Sequence, residues 1–126
     1  MKRTILLIED NEQNRYLATF LLEKAGYAVI PASDGKLGIE LAARVQPMLI
    51  LLDIQLPTMD GYSVAQALRS NPALKEIPIV AVTSYAMVGD REKALAAGCT
   101  GYMEKPINPE TFVAEIESYL KGKPDL

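Results

Sequence analysis

The stretch LILLDIQLPTMDGY, residues 49–62, decides how the chain is read. Four apolar residues run without a polar break and then meet a carboxylate, Asp53. Pro57, Asp60 and Gly61 mark a turn-rich segment after it. A short run of Leu and Ile with no alternation reads as a parallel strand covered on both faces. An ionised carboxylate pushed toward an interior is costly unless it has a partner. Asp53 therefore either reaches water or is bound by something.

Five such apolar runs punctuate the chain: TILLIE (4–9), YAVIPA (27–32), MLILL (48–52), IPIVAVT (77–83) and TGYME (100–104). Helical patterns lie between them. Over Glu12–Ala25, Leu17, Phe20 and Leu21 give a one-sided stripe that Gly26 ends. Over Asp34–Val45, Leu37, Leu41 and Val45 repeat every four residues. Residues 62–70 place Val64 with Leu68, before the breaker pair Asn71-Pro72. Residues 87–98 form a weaker helix, with Gly89 near its start. Pro109–Lys121 has proline in its first turn and a stripe of Phe112, Val113, Ile116 and Leu120. The pattern is β-α repeated five times. Parallel strands need crossover helices, so the fold class is α/β: a doubly wound five-stranded parallel sheet with helices on both faces.

Ligands of such sheets bind beyond the carboxyl ends of the strands, where the winding reverses. The first strand ends in Glu9-Asp10, the third in Asp53, the fourth in Thr83-Ser84 and the fifth in Glu104-Lys105-Pro106. Any one acid there reads as a solvated loop charge. Four complementary placements on one rim are harder to dismiss. In the flavodoxin-like strand order 2-1-3-4-5, the first and third strands are neighbours. Their carboxylates would converge, repelling by on the order of a few kcal/mol unless a hard cation sits among them. Oxygen-only ligands suit Mg²⁺.

Composition narrows the function. The chain has 126 residues, 49% apolar and 23% charged, with net charge −3. That fits one ordinary globular domain, with residues 1–121 as the domain and 122–126 as a tail. A net acidic chain is a poor fit to nucleic acid. The apolar runs fall short of the roughly 18 residues of a membrane span, and the interrupted N-terminal run does not read as a signal peptide. A cytoplasmic location is the expectation. There is no histidine, which removes Ser-His and Cys-His catalysis, histidine zinc sites and a phosphohistidine of its own. Cys99 is the single cysteine and reads as a small buried thiol.

Four motifs in order, LLIEDN, LLDIQLPTMDG, VAVTSYA and GYMEKPI, bring a family into view. Across essentially its whole length the chain resembles the receiver domain of two-component response regulators, the family that includes the bacterial chemotaxis regulator. The stretch TSYAMVGDREKALAAGC (83–99) resembles single-domain cell-cycle regulators and receivers of hybrid histidine kinases more than DNA-binding regulators. The resemblance also supplies the strand order. It implies Asp53 as phosphoacceptor, with Thr83 and Lys105 engaging the phosphoryl group. For Mg²⁺ it implies Asp10, Asp53 and the Gln55 backbone carbonyl as ligands, with Glu9 acting through water. It implies a cis peptide before Pro106 and a switch formed by Thr83 and Tyr102. Gln55 and Tyr85 would flank the path of the hydrolytic water, with the Tyr85 ring shielding the adduct or Gln55 instead orienting the water.

The implied function is a phosphorylation-activated signalling switch. It takes a phosphoryl group from a sensor histidine kinase or histidine phosphotransfer protein and presents a changed α4-β5-α5 face to a target protein. It is not an enzyme beyond Mg²⁺-dependent self-phosphorylation from small donors and slow autodephosphorylation. With no effector domain after Lys121, the output is a protein contact, or the chain is a receiver cut from a hybrid kinase. Rival readings fit less well. EDNEQN (9–14) would repel a flavin phosphate. Haloacid-dehalogenase-type phosphatases place Asp-x-Asp after the first strand. No G-x-G-x-x-G follows a strand. A receiver-like binding module that is never phosphorylated would have little use for the full acid, threonine and lysine set.

Overall fold

The computed structural model describes residues 3–84 and 88–120; the tail assigned to 122–126 and the Tyr85 ring lie outside them. Strands β1 (Thr4–Ile8), β2 (Ala28–Ala32), β3 (Leu49–Asp53), β4 (Ile79–Thr83) and β5 (Gly101–Glu104) alternate with helices α1 (Glu12–Lys24), α2 (Gly35–Val45), α3 (Gly61–Arg69), α4 (Asp90–Ala96) and α5 (Phe112–Ser118). All strand pairs are parallel, in the order β2-β1-β3-β4-β5. The sheet and its order are as expected. Among the described residues no helix is long and apolar enough to cross a membrane.

The central strands are buried at every position of β3 and β4 because both faces carry core. Leu6, Ile8, Ile50, Leu52, Ile79 and Ala81 join one cluster, which Val64, Ala65 and Leu68 of α3 and Ala42 of α2 complete. Ile5, Leu7, Leu49, Leu51, Val80 and Val82 join the other, with Ala18 and Leu22 of α1 and Phe112 and Ile116 of α5. The period-two alternation of strand side chains makes this division automatic.

Of the stripe residues, Leu21 and Leu41 pack against the core, but the deepest helix positions are others, most of them small. In α1 the fully buried positions are Ala18 and Leu22, while Phe20 is 51% exposed. In α2 they are Gly35, Gly38 and Ala42, while Leu37 is 39% exposed. A helix lying close on a sheet presents its smallest residues where the backbones approach. At Gly38 a Cβ would run into Ile8. α4 begins at Asp90, after the predicted start, because Gly89 has φ +92°, a left-handed conformation that a helix does not continue through. α5 begins at Phe112, beyond a turn in which Asn108 accepts from Glu110 N–H at 3.0 Å. The Asn71-Pro72 breaker opens a short 3-10 turn, Pro72–Leu74.

Arg69, which the sequence pattern did not single out, stitches the region after α3 together. Its guanidinium donates to the carbonyls of Gly98 (2.7 Å), Leu74 (2.9 Å) and Ile77 (2.7 Å) and to Thr100 Oγ1 (3.0 Å). These acceptors come from separate loops, and a rigid fork of donors satisfies them together. Cys99 beside it is buried, which pushes its thiol up to about 11 and leaves it protonated.

The loop after β3 is held shut onto the strand. Gly61 N–H donates to Ile54 carbonyl at 2.9 Å. A Cβ at Gly61 would collide with the Ile54 backbone and lie 2.9 Å from the Asp53 carbonyl oxygen. Because backbone cannot rotate away, Gly61→Ala should destabilise the fold by about 1–3 kcal/mol in urea titration. An unchanged midpoint would show that this loop yields freely.

Candidate functional site: an acidic pocket at the strand ends

The pocket follows from the register. Ile8 of β1 pairs with Leu52 of β3, so the residues that come next, Glu9 and Asp53, stand side by side. Asp10 turns the chain toward α1, which Asn11 caps by accepting from Asn14 N–H at 2.9 Å. One carboxylate oxygen from each of Glu9, Asp10 and Asp53 lies within 4.8 Å of the other two. Glu9 and Asp53 are each only 4% exposed, whereas Asp10 is exposed.

Lys105, delivered by the end of β5, answers the two buried charges. Its Nζ is 2.8 Å from Glu9 Oε1 and 3.4 Å from Asp53 Oδ2. The peptide after it, Lys105–Pro106, is cis. Asp53 Oδ1 accepts from Gln55 N–H at 2.9 Å, and Glu9 Oε2 accepts from Asn11 N–H at 3.1 Å. Arg15 donates to the backbone carbonyl of Glu9 at 2.9 Å and to that of Asp10 at 3.4 Å, fixing the turn from below. Nothing in the strand-end pattern pointed to Arg15, because it acts from the second turn of α1 on main-chain atoms.

One ammonium shared between two carboxylates leaves negative charge in excess. Burial raises the Asp53 pKa above the ordinary carboxylate value; the Gln55 N–H opposes this, Glu9 adds to it, and Lys105 offsets part. Asp34 and Asp60, two further acids beyond strand ends, serve as helix caps. Asp34 accepts from Leu37 N–H at 2.8 Å and Asp60 from Ser63 N–H at 3.0 Å.

Thr83, at the end of β4, is 2% exposed, and its hydroxyl accepts from Gln55 Nε2 at 2.9 Å. Tyr102 lies on the α3 side of β5, packed with Tyr62 against the core. Its hydroxyl is buried with no hydrogen-bond partner among the described residues. Burial, with Asp90 and Glu104 nearby, raises its pKa. On the outer side, Arg91, Glu92, Tyr102, Glu104 and Glu115 line a groove between α4, β5 and α5.

Comparison with known proteins places this geometry in a family. The response regulator receiver domain family matches residues 5–117. The chain is a receiver domain of that family. This receiver domain is 41% identical to the polar-differentiation response regulator DivK of Brucella anthropi, over 95% of its own length and 98% of that protein. In structure it is similar to the chemotaxis protein CheY4 of Vibrio cholerae, with 28% identity and TM-score 0.90 over 94% of this chain and 99% of that one. It is likewise similar to the receiver domain of the sensor histidine kinase PA1611 of Pseudomonas aeruginosa, with 33% identity and TM-score 0.87 over 95% and 98%. That structure has a magnesium ion coordinated in the active site cleft. The receiver domain thus belongs to two-component signalling, as its motifs implied.

The raised Asp53 pKa has a sign. A carboxyl that holds its proton more tightly when folded contributes most while protonated, and stability falls as pH rises through the folded pKa. Asp53→Asn removes that charge and leaves Lys105 with Glu9. In EDTA near neutral pH the variant should be more stable than wild type, by on the order of 1 kcal/mol. The gap should shrink as the pH approaches the ordinary carboxylate pKa. Thermal melts across pH check this; a variant that melts lower throughout would place the repulsion elsewhere.

Proposed function

We propose that this receiver domain takes its phosphoryl group on Asp53. One observation carries the reading: a nucleophilic carboxylate, buried at the end of a rigid central strand, shares a pocket with two further acids and one ammonium. The chain has no histidine, so the donor is a phosphohistidine on a sensor histidine kinase or a histidine phosphotransfer protein, or a small phosphodonor. An Asp53 oxygen bonds to phosphorus as the donor's N–P bond breaks, and the electron pair leaves with the imidazole. The protein's part is placement and charge neutralisation. The Gln55 N–H on Oδ1 and Lys105 beside Oδ2 fix the carboxylate plane. Lys105, beside Asp53 Oδ2, offsets charge on the phosphoryl oxygens.

The donor set fits Mg²⁺, since three carboxylates converge with hard oxygens and too little positive charge of their own. Asp10, Asp53 and the Gln55 carbonyl would hold the ion. Glu9, already engaged by Lys105 and the Asn11 N–H, would act through water. Bound there, Mg²⁺ supplies the missing positive charge and a template for the transferring group.

The adduct biases a pre-existing two-state equilibrium. Thr83 engages the phosphoryl oxygen, and Tyr102 responds at the face formed by α4, β5 and α5, where a target protein docks. The chain acts in the cytoplasm as a switch, with catalysis limited to its own phosphorylation and slow dephosphorylation.

Acetyl phosphate with Mg²⁺ should give one phosphoryl adduct by intact mass, absent in EDTA and absent in Asp53→Asn. A full adduct on Asp53→Asn would overturn the assignment. Adding beryllofluoride should shift NMR resonances beyond the pocket, through Tyr102 and α4. Shifts confined to the strand ends would refute the coupling.

A further inference from the structure

Gln55 makes a side-chain contact that metal binding does not require. Its Nε2 donates to Thr83 Oγ1 at 2.9 Å, and its Oε1 accepts from Ser84 N–H at 3.0 Å. Its backbone N–H meanwhile donates to Asp53 Oδ1 at 2.9 Å. One residue thus ties the end of β3 to the end of β4, touching both the nucleophile and the hydroxyl that is to answer it. A primary amide offers a donor and an acceptor side by side in this way.

We propose that the Gln55 side chain is a latch that holds the Thr83 hydroxyl in its unphosphorylated position, which makes Gln55 a positioning residue of the switch. The proposal rests on the reading of Asp53 as acceptor and Thr83 as its hydroxyl partner. Thr83 is buried and β-branched, so its hydroxyl has few rotamers open to it. Moving the oxygen toward a phosphoryl group on Asp53 breaks the Gln55 bond rather than stretching it. Gln55 itself is exposed, so the released amide is solvated at once. The latch is therefore weak, and a charge-assisted bond to a phosphoryl oxygen outcompetes it. Its effect is to set the threshold at which phosphorylation captures Thr83, not to prevent capture.

The test is a double-mutant cycle with Mg²⁺ and beryllofluoride as the phosphoryl mimic. Gln55→Met keeps the length of the side chain and removes its donor and acceptor. It should bind beryllofluoride about two- to tenfold more tightly than wild type, the range of one neutral hydrogen bond. In a Thr83→Val background the same replacement should change nothing. Unchanged or weaker binding by Gln55→Met, or a gain that persists with Thr83→Val, overturns the latch. If wild type takes no beryllofluoride, the reading of Asp53 falls, and the latch is judged on the free protein. There, three-bond NMR couplings should show a single Thr83 χ1 rotamer in wild type and averaging in Gln55→Met. A single rotamer in both overturns it.

Discussion

Two buried carboxylates and one ammonium form the constraint on which the rest of this structure depends. Glu9 and Asp53 are brought together by adjacent strands, and Lys105 lies within 3.4 Å of both. In a low-dielectric setting neither acid can be left alone, yet one lysine cannot satisfy two. The pocket is folded with negative charge left over. That is a poor arrangement for stability and a good one for attracting a cation.

The scaffold is built to keep that imbalance in place. Strands buried on both faces cannot slide, and the short loops beyond them are pinned by side chains acting on main-chain atoms. Arg15 holds the Glu9 and Asp10 carbonyls, Asp60 caps α3, and Gly61 lets the loop after Asp53 close on Ile54. Arg69 does the same further out, joining the loops that precede β4 and β5. The acids are therefore aimed by rigid elements, and repulsion cannot be relieved by drift.

The other half of the site is less firmly held. The Thr83 hydroxyl accepts from the amide of an exposed residue, Gln55, and the Tyr102 hydroxyl is buried without a partner among the described residues. An unsatisfied buried hydroxyl costs free energy that another arrangement could recover. Rigid acids beside this hydroxyl and aromatic suit the proposed role of accepting a group and then reporting it. The acidic groove beside Tyr102 would carry the proposed report to the surface.

Periodicity and strand-end chemistry were enough to read the α/β class and the rim carrying Glu9, Asp10, Asp53, Thr83 and Lys105. Both are local properties: apolar runs have a length and a period, and a strand's last residue must face the rim. The strand order and the individual roles came from resemblance, since pattern alone does not say which strands are neighbours. Packing decided the remainder. Leu17, Phe20 and Leu37 look like core by spacing, but close helix-sheet approach favours Ala18, Gly38 and Ala42 at the contact. Glu9 and Asp10 are adjacent acids in the chain, and only the turn into α1 buries one against Lys105 and leaves the other in water. The Gln55–Thr83 bond joins residues 28 apart, and Arg69 reaches Thr100 across 31. Such contacts depend on distances through space, which a sequence read in order does not contain.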